Sequence, residues 1–314
     1  MKTLPDKPLS VLIKEKAAAL GFDLCGIAPS RPLEERERIL ADWCASGFNG
    51  GMKYLSENTG KRADPGKLFP GARSLVVTGL NYFAANGQTE PGVPVISRYA
   101  YGVDYHDVII KKLTSLLEYV KTVQPSAAGK PYADTGPLLE KGWAVEAGLG
   151  WQGRHSIIIN RKIGSFFFLG VLILDIPLDY DEPETKDNCG SCRLCIDACP
   201  TGAINGNRTI DARRCIANLT IENRDHVPHE LVPLMGKRIY GCDRCQEVCP
   251  WNSKTPIHNV PEFRIGEELA HLTPGEWQNM TRERYKKLFR NTPLARKKYE
   301  TFMENVRLLT GPAI

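Results

Sequence analysis

Cysteine is the residue type whose spacing carries chemistry in this chain. Of ten cysteines in 314 residues, eight fall between Cys189 and Cys249. They open as Cys189-x2-Cys192-x2-Cys195-x3-Cys199-Pro200 and close as Cys242-x2-Cys245-x3-Cys249-Pro250, with Cys215 between. The first run has the spacing of a bacterial ferredoxin loop, where three thiolates hold one iron–sulfur cluster and the fourth ligates a second. The second run lacks its first ligand. Ile239 stands where a full copy has cysteine, which makes Cys215 the candidate replacement. Crossed ligation then assigns Cys189, Cys192, Cys195 and Cys249 to one [4Fe-4S] cluster, and Cys199, Cys215, Cys242 and Cys245 to the other.

Disulfides and zinc are the competing uses of such cysteines. Disulfides need an oxidising compartment. Met1–Pro8 is polar and proline-containing, without the apolar region of a secretory signal. Zinc sites close with cysteine pairs or with cysteine and histidine. Two x2/x3 runs, each followed by proline, fit clusters better. Cys25 and Cys44 lie far from both runs and read as small buried hydrophobes.

The length accommodates a large and a small domain. The apolar and charged fractions, 42% and 25%, are those of an ordinary globular chain. The longest apolar stretch, Ile163–Ile176, is shorter than the ~18 residues of a membrane span and contains Ser165 and Asp175. The expectation is a cytoplasmic protein, monomeric and without a membrane partner. The net charge of +5 is mild, but from Thr281 onward nine Lys/Arg face only three acids. Such a segment suits a polyanionic partner.

The elements that must position this chemistry are legible in outline. Leu9–Leu20, Leu33–Ser46, Asp107–Val123 and Leu138–Ala147 have helical periodicity. Leu24–Ala28, Ser74–Thr78, Ile157–Ile159 and Gly164–Asp175 read as strands. Their alternation predicts an α/β (α+β) front domain over 1–180. A ferredoxin-like domain follows over 181–255, then a short basic helical segment over 256–314. Neither GxGxxG nor GxxxxGK[ST] is present, which weakens dinucleotide and ATPase readings.

Polar residues in the glycine-rich breaks of the front domain are its site candidates. Asp134, before Thr135-Gly136-Pro137, is either a general acid or a cap for the next helix. His106 is a helix-start cap or a cofactor ligand, and the same alternatives hold for His155. Arg98 either clamps an anion or pairs on the surface. Trp151 and Ser165 lie in similar breaks, whereas Phe166-Phe167-Phe168 reads as core.

Taken together these stretches resemble the epoxyqueuosine reductases, cobalamin-dependent iron–sulfur enzymes of queuosine biosynthesis in tRNA. The likeness rests on Arg98-Tyr99-Ala100 with Asp104-Tyr105-His106, on Asp134-Thr135-Gly136-Pro137, and on Gly148-Leu149-Gly150-Trp151. It continues through Gly164-Ser165 with Phe167-Phe168-Leu169-Gly170, Cys189-Gly190-Ser191-Cys192, Cys199-Pro200-Thr201-Gly202-Ala203, and Gly241-Cys242-Asp243 through Cys249-Pro250-Trp251-Asn252. Tyr101, Ser156 and Phe166 depart from the pattern. The resemblance implies a cobalamin-binding front domain and reduction of epoxyqueuosine to queuosine at the tRNA wobble position. It implies cob(II)/cob(I)alamin fed by the two clusters, an external one-electron donor of flavodoxin or ferredoxin type, and loss of the epoxide oxygen as water. It makes Asp134 the proton donor, and Arg98, His106, Trp151, His155 and Ser165 cobalamin contacts. A donor at Asp134 needs a raised pKa at neutral pH. The alternatives are another corrinoid reductase, of the reductive dehalogenase kind, and a non-enzymatic ferredoxin-type carrier.

Overall fold

In the computed structural model, which describes residues 7–224 and 226–311, two long strands form the centre of the front domain. Met1–Asp6, most of the polar start noted above, and the last three residues of the basic segment lie outside the described residues. The front domain runs α1 (Leu9–Ala19), β1 (Leu24–Pro29), α2 (Glu34–Ala45), β2 (Ser74–Asn81), β3 (Val95–Ile96), α3 (Tyr105–Val123), β4 (Gly129–Tyr132), α4 (Glu140–Glu146) and β5 (Phe167–Leu174). Sheet order is β1-β2-β5-β4, and every pairing in it is antiparallel. The alternation of helices and strands therefore does not signal a parallel βαβ sheet; the front domain is of the α+β kind.

Every residue of β2 is buried because both faces of the sheet are covered. Successive side chains point to opposite faces. Val76 and Leu80 meet Ile13 of α1 and Ile109 and Leu113 of α3, whereas Leu75 and Val77 meet Trp143 and Ala144 of α4. At the β5 position facing α3 a side chain has no room: a Cβ on Gly170 would lie 2.5 Å from Ile109. Asp104 starts α3, its carboxylate accepting from the His106 N–H at 3.1 Å. Sequence boundaries and observed ones agree within a few residues, and 179–187 has no regular structure, as its acidic linker composition suggests.

The second half contains α5 (Ile216–Ile221), β6 (Arg238–Tyr240), α6 (Arg282–Leu288) and α7 (Tyr299–Thr310) among other short helices. Its core is shared with the front half. Ile96, Ala100 and Tyr101 pack with Ile239, Trp277, Phe289 and Phe302. β3 also pairs in parallel with β6. Residues 84–101 thus belong physically with the cluster and C-terminal regions, across the boundary read at residue 180. Tyr285 and Phe289, four apart on the basic segment, are 4% and 1% exposed and build this core.

Candidate functional site

The eight window cysteines sort into two sets by proximity. Burial pushes the Cys249 thiol up to about 11, and neighbouring Cys189, Cys195 and Cys192 add to it. Cys245 is raised by burial, then by Cys215, Cys242 and Cys199. Crossed ligation would use these two groups as its quartets. Ile239 is fully buried in the C-terminal core, and Cys215 lies among the charges of Cys199, Cys242 and Cys245. All ten cysteines are free thiols. N–H donors already point at sulfur: Ala203 N–H at 3.3 Å from Cys199 Sγ, and Trp151 Nε1–H at 3.4 Å from Cys189 Sγ. Among the described residues no three His, Cys, Asp or Glu converge on a single-ion site. Two thiol quartets without a single-ion centre fit four-iron clusters better than zinc.

A cavity of about 970 Å³ joins the second quartet to the front domain. Cys215 forms part of one wall, Tyr105, His106 and Asp134 another, and Arg296, Lys297 and Lys298 the rim. Asp134 sits in a left-handed turn (φ 55°), its N–H held by Glu140 Oε1 at 2.7 Å. Its Oδ2 accepts from the Tyr105 hydroxyl at 2.7 Å and lies 3.3 Å from His106 Nε2. His106 Nδ1 lies 2.5 Å from Asp104, whose other oxygen accepts from Arg296 Nε at 2.9 Å. The Tyr105 ring is sandwiched between His106 and Phe168, with centroids at 4.0 and 4.1 Å. That stacking fixes the hydroxyl on Asp134.

The electrostatics differ from the expectation for a proton donor. Burial works to raise the Asp134 pKa, but hydrogen bonds from His106 and Tyr105 outweigh it and hold it below its ordinary value. Its side chain, 63% exposed, opens into the cavity. His106 moves the other way. Burial disfavours its charge, yet hydrogen bonds to Asp104 and Asp134 bring its pKa up to about 8. Glu140 is pushed up to about 8 by burial and by Asp134. Lys141, also lining the cavity, is lowered by burial. Asp134 is thus held toward its ionised form and His106 toward its charged form.

The six front-domain candidates are not brought together. His106 and Asp134 share the cavity. Arg98 instead bridges halves of the molecule, donating to Asp243 at 3.3 Å and Glu247 at 2.9 Å. Asp243, 7% exposed, also accepts from the Arg98 N–H and the Ser97 hydroxyl. Arg98→Ala leaves this buried carboxylate short of its cation and is expected to cost about 1.5–3 kcal/mol in a denaturant titration. Ser165 is locked between halves by Asn252 and Gln246. Gly164 before it has φ 68°, and a Cβ there would fall 2.1 Å from Asn252 Oδ1. Trp151 packs edge-on against Trp251 beside the first quartet. His155 is 3% exposed, accepts from Ile157 N–H at Nδ1, and leaves Nε2 without a partner among the described residues. Lys141 and Asn218, missed in the sequence, line the cavity as well. The Asn218 Oδ1 is also buried and unpartnered.

These orphaned atoms bear on the cofactor. Burial lowers His155 to about 4, so its ring is neutral. With Nδ1 accepting, Nε2–H is an unspent donor. Asn218 Oδ1 is an unspent acceptor on the cavity wall. His155 lies outside the cavity lining, but a large ligand edged with carboxamides suits the Asn218, His106 and Asp134 groups that line it, and the cavity lies at the upper end of small-molecule site sizes. The residues present therefore fit a corrinoid.

Fold and site together define an iron–sulfur oxidoreductase whose double-cluster domain faces a cofactor-sized cavity in an α+β domain. Residues 188–252 match the 4Fe-4S double cluster binding domain, and residues 62–135 match the family described as epoxyqueuosine reductase QueG, DUF1730. The epoxyqueuosine reductase of Cyclobacterium marinum is 41% identical, over 96% of this chain and 97% of its own. That of Escherichia coli K12 is 38% identical, over 97% of this chain and 81% of its own. A solved epoxyqueuosine reductase, determined with a tRNA-Tyr epoxyqueuosine-modified tRNA stem loop, superposes with a TM-score of 0.89 at 29% identity, covering 96% and 80% of the two chains. The chain belongs to the epoxyqueuosine reductase family. Among its described residues no helix is long and apolar enough to cross a membrane.

Proposed function

We propose that the protein reduces epoxyqueuosine to queuosine at the wobble position of tRNA, with cobalamin held in the cavity between the Asp134 turn and the second thiol quartet. The observation that carries this is the shared cavity: a cluster thiol, a hydrogen-bonded carboxylate–histidine pair and a basic rim line one space. Cobalamin would be held by Asn218 and the His106–Asp134 wall. Bound clusters supply single electrons, and bound cobalamin in its reduced state supplies a nucleophile able to open an epoxide. The chain supplies the proton handling. Asp134 faces the cavity and delivers a proton to the oxygen as the epoxide C–O bond breaks. Tyr105 orients it, and Glu140 anchors its backbone. The cluster held by Cys199, Cys215, Cys242 and Cys245 is the one nearer the reaction.

With a cluster bound, the first quartet would be the point where an external donor of flavodoxin or ferredoxin type delivers electrons. Its loop is open to solvent, with Leu194 half exposed between Cys192 and Cys195. The test of the function is turnover. Protein purified anaerobically and reconstituted with iron, sulfide and cobalamin is expected to convert an epoxyqueuosine-bearing stem loop to the queuosine form under reducing conditions. An unchanged epoxide, with both clusters and cobalamin loaded, overturns the reading.

RNA affinity is assigned to the basic rim. Arg296 and Lys297 are already engaged, by Asp104 and by the Ile221 carbonyl, and burial lowers the Lys297 pKa. Neutralising Lys297 and Lys298 together is expected to reduce the steepness of log K against log salt by about 1.4–1.8. Filter binding across a salt series measures this, and an unchanged slope removes these residues from the footprint.

A further inference from the structure

We propose that His106 reloads Asp134 with a proton within each turnover, and that the Asp104–Arg296 pair sets how firmly His106 holds it. This rests on the function proposed above. Removing an epoxide oxygen as water consumes two electrons and two protons, and both protons finish on the same oxygen. One carboxyl group carries one proton. A donor at Asp134 must therefore be refilled before the second transfer.

The refilling group has to touch Asp134, hold a proton near neutral pH and retain a second polar partner. His106 meets all three conditions. Its Nε2 lies 3.3 Å from Asp134 Oδ2, and its Nδ1 lies 2.5 Å from Asp104. The Tyr105 hydroxyl also contacts Asp134 but is raised far above its ordinary range, first by burial and then by Asp134, so it positions rather than transfers. Glu140 is raised but meets Asp134 only at the backbone N–H.

The sequence of bonds is closed. In each round the His106 Nε2–H bond breaks as an Asp134 Oδ2–H bond forms, and that O–H bond then breaks as one forms on the substrate oxygen. The ring is left neutral, with its Nδ1–H still donated to Asp104. Solvent reaching the cavity returns a proton to Nε2, and a second round releases the oxygen as water. The external one-electron donor supplies both electrons.

The groups facing His106 are Asp104, Tyr105, Asp134, Glu140 and Arg296, with Lys141 acting on Asp134. Asp104 favours the charged ring and Arg296 opposes it. Arg296 stands on the cavity rim, in the segment assigned to RNA. An RNA phosphate that draws Arg296 away from Asp104 therefore strengthens the proton's hold on His106 as the substrate seats.

The test reads His106 directly. Cofactor-free protein carrying 13C-labelled histidine is titrated by NMR, with the resonance assigned from His106→Gln. The midpoint is expected near 8. It should fall in Asp104→Asn and rise in Arg296→Ala. In reconstituted enzyme the alkaline limb of the kcat profile is expected to follow the midpoint in both directions. His106→Gln should lose about 100-fold in kcat or more, with KM for the stem loop and cluster absorption unchanged. Wild-type kcat in His106→Gln overturns the proposal. So does an alkaline limb that stays fixed while the NMR midpoints move, or midpoints that do not move in opposite directions. If His106→Gln loses its clusters, the opposed shifts of the other two variants decide. Failure of wild-type turnover strikes the function itself, whereas the NMR titration stands apart from it.

Discussion

Asp134→Asn is expected to lower kcat by about 10²–10⁴-fold while both clusters and the RNA affinity are retained. The substitution is nearly isosteric, and its amide oxygen still accepts from the Tyr105 hydroxyl that lies 2.7 Å away. The turn survives because Glu140 holds the backbone N–H, not the side chain. What is removed is an oxygen that can carry a proton toward the cavity. Steady-state turnover of the modified stem loop, beside iron content and cluster absorption of the same preparation, separates chemistry from folding. A variant that retains most of its activity sinks the donor role of Asp134 and, with it, any need for reloading.

The second large effect concerns Cys215→Ser. This residue stands apart from both CxxC runs, yet it neighbours Cys199, Cys242 and Cys245 in charge and space. Its loss is expected to drop iron from about eight to about four per chain and to abolish turnover. The first quartet should remain loaded, because Cys189, Cys192, Cys195 and Cys249 form a separate neighbourhood around Trp151 and Trp251. Full iron content in this variant would mean that another group supplies the fourth ligand of the second cluster.

Local spacing explains why the clusters were readable in the chain. Three ligands of each quartet come from tight runs or from one well-placed neighbour, and the empty position at Ile239 pointed to Cys215. The constrained Asp-Thr-Gly-Pro turn left Asp134 either a general acid or a cap; the family resemblance made it the proton donor, and it does face the cavity. Its charge state was not legible. The groups that hold it ionised, Tyr105 and His106, are almost thirty residues upstream. Arg98 and Ser165 looked like cofactor contacts because polar residues in glycine-rich breaks often are. Their partners, Asp243 and Asn252, lie far along the chain, so nothing local marked them as ties between the halves. The antiparallel order of the sheet was hidden for a similar reason. Alternating helices and strands are compatible with more than one winding, and only long-range pairing of β2 with β5 decides it.

The parallel pairing of β3 with β6 has a consequence for how the molecule is made. Residues 84–101 leave the ribosome early, but the groove that receives them is built from β6 and the helices up to Leu309. Until the chain has been made through Leu309, this segment has nowhere to bury Ile96 and Tyr101. The molecule is therefore interlaced and not a fusion of two modules. Exchanging its ferredoxin part for that of another protein would strand a front-half segment without its seat. Closure of this shared core therefore waits for β6 and for the helix that reaches Leu309.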